Sequence, residues 1–216
     1  MKVLRLPLTF ENSAILFDMD GTLYTHDAYM KLQIELPIRR LASTQGKSYE
    51  QMKTEIDEYR KNWADSHDGQ SISLGNIFLA FGISIEKSIR WREELLYPQK
   101  FLVKDNQLRT ALEALALHFN LAVVTNNPVL VAVRTLSALG VDDIFQNIVG
   151  LATCGMSKPN EAIFLKAAEL CNAKAQQCIS VGDRYDIDIA LPLELGMGGI
   201  LVDGVEDVYK LPGILF

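Results

Sequence analysis

Short apolar runs rich in β-branched residues recur along the chain at 13–17 (SAILF), 121–125 (LAVVT), 147–150 (NIVG), 178–181 (CISV) and 199–202 (GILV). Runs of this length, bounded by polar residues or glycine, read as buried strands. Helical periodicity fills the intervals 106–118, 128–139, 161–171 and 186–195. In the first of these, Leu108, Leu112, Leu115 and Phe119 recur at spacings of four and three, the stripe of an amphipathic helix. Alternating strands and helices predict an α/β fold with a doubly wound, mostly parallel sheet, a Rossmann-like core.

The segment 24–98 departs from this rhythm. It reads as helix throughout, over 28–41 (kinked or divided by Pro37), 49–64, 74–81 and 85–96, and the strand rhythm resumes only around Phe101. About 75 residues are too many for a simple connection. The expectation is an all-helical cap domain over 24–98 inserted into a core of 1–23 and 99–216, with linkers near 22–27 and 97–105.

The 216 residues, at roughly 150 per domain, suit one α/β domain with an insertion. With 49% hydrophobic and 22% charged residues the chain is of globular composition. A net charge of −6 leaves no cationic excess for a nucleic-acid backbone, so no polymeric nucleic acid is expected as partner. A small anion needs only local donors. The uncharged stretch 114–133 is of membrane-spanning length, but Asn120 and Asn126-Asn127-Pro128 divide it into two elements. The first dozen residues mix charge, proline and polar side chains and lack the apolar core of a signal peptide. A cytoplasmic protein without a membrane partner is therefore expected. Cys154, Cys171 and Cys178 form no CxxC pair and read as buried structural thiols. Nothing in the sequence sets the oligomeric state.

Position carries the chemistry. Asp18, Thr125 and Asp183 each end a predicted strand, and in an open parallel sheet such ends share one crevice. Lys158, followed by Pro159 as the expected first residue of a helix, adds a cation to the rim. Asp18 and Asp20, two apart on an extended strand end, point to one side, and Gly21 permits a sharp turn. At about 6 Å and an effective dielectric near 20, the two carboxylates repel by roughly 3 kcal/mol. A divalent cation or a retained proton relieves that repulsion, leaving one ionised nucleophile or ligand beside one proton-transfer group. The 182–188 stretch (GDRYDID) is dense in hard oxygen donors that suit Mg²⁺. There Asp183 reads as a metal ligand and Asp186 as a helix N-cap.

Phe17-Asp18-Met19-Asp20-Gly21-Thr22-Leu23, Val124-Thr125-Asn126, Lys158-Pro159 and Gly182-Asp183 through Asp188 resemble, in order, the four motifs of the haloacid dehalogenase-like hydrolase superfamily. The resemblance runs from about residue 12 to 204. The site of the insertion resembles the phosphatase branch with a helical cap, and Leu23-Tyr24 is similar to the pyrimidine 5′-nucleotidases, although Gly21 departs from the Asn found in many of them.

The resemblance implies a Mg²⁺-dependent phosphatase of a small phosphorylated metabolite. Asp18 would be the nucleophile that forms an aspartyl-phosphate and Asp20 the acid and base. Mg²⁺ would be held by Asp18, Asp183 and the backbone carbonyl of Asp20, with Asp188 supporting. Thr125, Lys158 and the backbone amide of Asn126 would hold the phosphate oxygens. Three alternatives stand beside it: a nucleoside 5′-monophosphate phosphatase, a sugar phosphomutase and, more distantly, a phospho-receiver signalling module. Receivers are about half this length and lack a helical insertion. Dehalogenases generally lack a second carboxylate at the position of Asp20. Tyr24, His26, Arg184 and Tyr185 are expected as packing or solvated residues, Arg39-Arg40 and Arg90-Trp91-Arg92 as solvated cap faces around a buried tryptophan, and Trp63 as cap core. The stretch from Val202 to Phe216 reads as a final strand end and a surface wrap.

Overall fold

The computed structural model describes residues 1–7, 13–69 and 71–216. Of the core segment 1–23 expected from the sequence, 8–12 lie outside the described residues, as does the start of the motif-bearing region at residue 12. Residue 70 of the expected cap likewise lies outside them.

Among the described residues six strands form one sheet: β1 (Lys2–Arg5), β2 (Ala14–Phe17), β3 (Asn120–Val124), β4 (Asn147–Val149), β5 (Cys178–Gly182) and β6 (Gly198–Leu201). Their order is β1-β6-β5-β2-β3-β4. All neighbours are parallel except β1, which pairs antiparallel with β6. The sequence reading missed this edge strand, because β1 is four residues long, carries Lys2 and Arg5, and buries no face.

Each strand of the interior uses its two faces separately, as the alternation of side chains requires. On one face Ile15, Phe17, Val123, Ile179 and Val181 pack with Leu108, Leu112, Leu115 and Leu136 from α5 (Asn106–Ala116) and α6 (Val129–Leu139). On the other, Ala14, Leu16, Ala122 and Val124 pack with Ile163, Phe164 and Ala167 of α8 (Glu161–Leu170). β2 is wholly buried, and full burial of a side chain such as Leu16 or Phe17 stabilises by about 1.5–3 kcal/mol. The chain winds from β2 through β3 to β4, then crosses back to β5 and β6. The carboxyl ends of β2, β3 and β5 therefore flank the place where the winding reverses, the usual ligand crevice of such sheets. Phe17 is level with both Val123 and Val181, so Asp18 emerges beside Val124 and Gly182.

Among the described residues four α-helices lie between β2 and α5: α1 (Asp27–Thr44), α2 (Tyr49–Ser66), α3 (Leu74–Ala80) and α4 (Ile85–Leu95). Ser48, Ser73 and Ser84 cap three of them by accepting the backbone N–H groups of Gln51, Asn76 and Lys87. The helices build a separate apolar cluster from Ile38, Leu41, Met52, Ile56, Ile77, Phe78 and Trp91. α1 is one continuous helix through the buried Pro37. Tyr24 and Tyr29, although within 24–98, pack in the cluster of the sheet. No strand begins at Phe101. That residue stacks on Tyr29 with ring centroids 5.2 Å apart, and the alternation resumes with α5.

Other expectations are corrected. Trp63 is half-buried and stacks on His67 at 3.8 Å, outside the apolar cluster of the four helices. The C-terminal stretch is no mere wrap. Its helices α10 (Val205–Val208) and α11 (Pro212–Leu215) carry Val208 and Leu215 into the main cluster, with Leu211 between them. The predicted helix 186–195 is instead a π-helical turn, Tyr185–Ile189, followed by α9 (Ala190–Glu194). Cys171 and Cys178 are buried, whereas Cys154, in the one-turn helix α7 (Leu151–Cys154), is half-buried. No described helix is long and apolar enough to cross a membrane.

Candidate active site

Asp18 is the first residue past β2, and its backbone N–H donates to the carbonyl of Val181 at 2.8 Å. Parallel pairing thus fixes its main chain, and its side chain is 4% exposed. The chain then turns sharply: Gly21 has φ +83° and donates to Tyr24 O at 3.1 Å. A Cβ here would lie 2.5 Å from Oδ2 of Asp183, so only glycine combines this conformation with so close an approach.

Lys158 was expected on the rim but is buried, 1% exposed. Its ammonium donates all three hydrogens, to Oδ1 of Asp18 at 2.6 Å, Oδ1 of Asp188 at 2.7 Å and the carbonyl of Val124 at 2.7 Å. Burial alone would lower its pKa, but Asp18 and Asp188 outweigh that and raise it, so the lysine is charged. Asn126 secures its backbone: Oδ1 accepts the Lys158 N–H at 2.6 Å and Nδ2 donates to the Lys158 carbonyl at 3.2 Å. The amide side chain of Asn126 is thus a splint between two loops. Pro159 does not open the next helix; Asn160 caps α8 by accepting the N–H of Ala162 at 3.0 Å, so the helix begins at Glu161.

Asp188 is 1% exposed. Its Oδ2 accepts the N–H of Arg184 at 3.1 Å, and its own carbonyl accepts the Ser180 hydroxyl at 2.7 Å. Gly182 makes room for it, since a Cβ there would fall 2.3 Å from the Cβ of Asp188. Asp186, expected to cap a helix here, is exposed, and the turn at 185–189 has no side-chain cap; Asp188 accepts the Arg184 N–H from within it. Asp183 completes a group of three: one carboxylate oxygen each from Asp18, Asp183 and Asp188 lie within 4.8 Å of one another. Burial, then Asp18 and Asp188, push the Asp183 carboxyl up to about 7, and its Oδ1 is buried without a hydrogen-bond partner.

The carboxylate of Asp20, whose backbone carbonyl rather than side chain was expected at the metal, lies outside that trio. It takes three donors of its own: the Tyr24 hydroxyl, Gln33 Nε2 at 2.9 Å and Asn127 Nδ2 at 2.8 Å. These partners are themselves linked, as Gln33 Nε2 meets the Tyr24 hydroxyl at 2.6 Å and Asn127 Nδ2 meets Gln33 Oε1 at 2.7 Å. Arg92 of α4 donates from Nη1 to Asn127 Oδ1 at 3.1 Å. Thr125 is 2% exposed, and its hydroxyl accepts the N–H of Asn127 at 3.1 Å.

The sheet thus gathers Asp18, Lys158, Asp183 and Asp188 tightly, with Thr125 and Asn126 at the next strand end and Asp20 adjoining in a separate network. Sequence reasoning missed Gln33, Arg92 and Asn127 as members of this network, and expected Tyr24 as a packing or solvated residue. Arg92, expected to be solvated, is 7% exposed. Buried polar positions on α1 and α4 were the available signal, and they became readable only once the helices were placed over the sheet. His26, by contrast, caps α1 through Nδ1, and Tyr185 is exposed. A cavity of about 290 Å³ separates the helices from the sheet. Gln33, Arg60, Gly75 and Arg92 line it on one side, and Asp20, Asn127, Asp183 and Arg184 on the other.

Three acids and a locked cation thus gather at the switch point of a doubly wound α/β sheet, where such folds bind their ligands. The chain belongs to the haloacid dehalogenase-like hydrolase family, whose model matches residues 13–195. It is similar to the glyceraldehyde 3-phosphate phosphatase of Methanothermobacter thermautotrophicus, 24% identical over 202 residues, 88% of this chain and 85% of that protein. A shorter similarity, 35% identity over 65 residues, joins it to the phosphoglycolate phosphatase of Colwellia psychrerythraea and covers 30% of this chain and 29% of that one. Among solved structures, a HAD phosphatase from Thermococcus onnurineus has the same fold. It superposes with a TM-score of 0.64 at 22% identity over 94% of this chain and 97% of its own.

Proposed function

We propose that this hydrolase is a Mg²⁺-dependent phosphomonoesterase for a compact phosphorylated metabolite, working through an aspartyl-phosphate on Asp18. The observation that carries the reading is the trio Asp18, Asp183 and Asp188 beside the triply bonded Lys158. The residues fit a hard divalent cation. Three carboxylates lie close enough to share one, and the buried Oδ1 of Asp183 accepts no hydrogen bond, with only the Arg184 guanidinium 4.0 Å away, which leaves it free for such an ion. Asp18 and Asp183 would hold it, with Asp188 supporting through its bond to Lys158. When bound, Mg²⁺ neutralises the phosphate charge that otherwise keeps a carboxylate away.

The protein's own groups account for the rest. Lys158 fixes the Asp18 carboxylate in one orientation, which serves an in-line attack on phosphorus. Asp18 forms the new O–P bond as the ester P–O bond breaks, and Asp20 gives the departing alkoxide its proton. Asp20 then takes a proton from the water that displaces Asp18 from phosphorus. Tyr24, Gln33 and Asn127 hold the Asp20 carboxylate toward that task. Thr125 has its oxygen occupied by the Asn127 N–H and retains its hydroxyl proton for a phosphate oxygen. Asn126 contributes by anchoring Lys158. Helices α1–α4 act as a cap that shields the reaction from bulk water.

The cavity of about 290 Å³ over the acids has room for a compact phosphate ester. The names of the curated relatives point the same way. The test is phosphate release across short phosphate esters, sugar phosphates and nucleoside monophosphates, with EDTA and Asp18→Asn controls. Release from short esters that EDTA and D18N both abolish is expected. Activity surviving D18N would overturn the mechanism, and return of the phosphate to a sugar would make the enzyme a mutase.

A further inference from the structure

Arg92 stands out among the three arginines of the cavity. Arg60 is paired with Asp57 at 3.6 Å and its side chain is 37% exposed. Arg184 lies 4.0 Å from Asp183 and is 52% exposed. Arg92 is more than nine-tenths buried and forms no ion pair with any described carboxylate. Among the described residues its side chain makes one hydrogen bond, from Nη1 to the neutral amide of Asn127, and its Nε is buried without a partner. Burial draws the guanidinium down to about 10, against the opposing influence of Asp20, and it remains charged at neutral pH.

A buried cation held only by a neutral group is costly, and a guanidinium with unused N–H groups grips a carboxylate through two parallel hydrogen bonds. The neighbourhood sets the distance. One amide, Asn127, bridges Arg92 and Asp20, since Nδ2 meets Asp20 at 2.8 Å while Oδ1 meets Arg92. Asp20 is the group assigned to the leaving oxygen. We infer that Arg92 forms a subsite for a carboxylate on the leaving group, so that the substrate is a short phosphorylated carboxylic acid whose acid lies only a few bonds from the ester oxygen. This rests on the phosphatase reading above and narrows it.

The test uses the full chain in magnesium buffer and two non-hydrolysable probes, phosphonoacetate and its neutral amide, with binding measured by calorimetry. Wild type should bind the acid tighter by tenfold or on the order of it, as a charge-assisted pair predicts. Arg92→Met should bring the two probes to near-equal affinity. Equal binding of the probes to wild type, no binding of either, or a preference undiminished in R92M would each overturn the subsite. Should R92M not fold by circular dichroism, R92K serves: its displaced point charge should weaken the preference, and a full preference there would count against a bidentate grip. Turnover separates a subsite from a positioning role. For a subsite, R92M raises KM for a carboxylated ester more than for an uncharged one. Equal losses in kcat for both would make Arg92 a prop for Asp20 and sink the inference. An absence of phosphate release from any ester would defeat the phosphatase reading, while the calorimetry would still judge Arg92.

Discussion

Replacing Lys158 by methionine isolates the electrostatic core of the site. The substitution keeps most of the buried aliphatic stem and removes one ammonium whose three hydrogens are all used. Asp18, at 4% exposure, and Asp188, at 1%, then share an interior with no cation between them, and the Val124 carbonyl loses a donor. Removing one partner of a buried ion pair costs about 3–5 kcal/mol, because the remaining charge is neither hydrated nor paired. With a urea m-value of about 2–3 kcal/mol/M for a chain of this size, the midpoint should fall by more than about 1 M. The measurement is urea unfolding in EDTA, so that no metal substitutes for the lysine. The reasoning makes a second demand. If the cost is a stranded carboxylate, adding Asp188→Asn to K158M should restore stability, and the two changes should be strongly non-additive. A double variant less stable than K158M, or a single variant within about 0.5 kcal/mol of wild type, would refute the account.

Two more outcomes follow from particular contacts. Gly21→Ala forces a left-handed φ of +83° on a residue with a Cβ 2.5 Å from Asp183 Oδ2. It should cost at least about 1 kcal/mol in thermal unfolding and abolish turnover, and retention of full activity would show that the turn yields more readily than its packing implies. The Cys178 thiol is pushed up to about 12, by burial and then by Cys171, so its thiolate is scarce at any pH the fold tolerates. A disulfide reagent at pH 8 should label the half-buried Cys154 first and reach Cys178 only on unfolding, which peptide mass mapping would check.

Much of the fold and of the central site was legible in the sequence because both depend on local pattern. A buried parallel strand needs an uninterrupted apolar run, and the first polar residue after it marks where the chain leaves the sheet. That logic located Asp18, Thr125 and Asp183 without any knowledge of pairing. Its place after the 147–150 run put Lys158 on the same rim, the resemblance to the hydrolase family supplied Asp188, and glycine at 21 announced the turn. β1 escaped because an exposed edge strand of four residues has no apolar run to display. α8 starts later than expected because Asn160 caps it, leaving Pro159 outside the helix, and the stretch after Arg184 is a π-helical turn without the side-chain cap expected of Asp186.

What the chain alone determined, then, was which residues end strands and which helices present an apolar stripe, since both follow from neighbours close in sequence. What tertiary structure decided was which polar groups lose water and find each other. Lys158 reads as a surface cation until the sheet buries it between two acids 140 and 30 positions away. Arg92 reads as one of several helix arginines until α4 is laid against the loop after β3, 35 residues distant in the chain. Desolvation is a property of packing rather than of residue order. It converts those two side chains from solvated charges into strong, oriented ones.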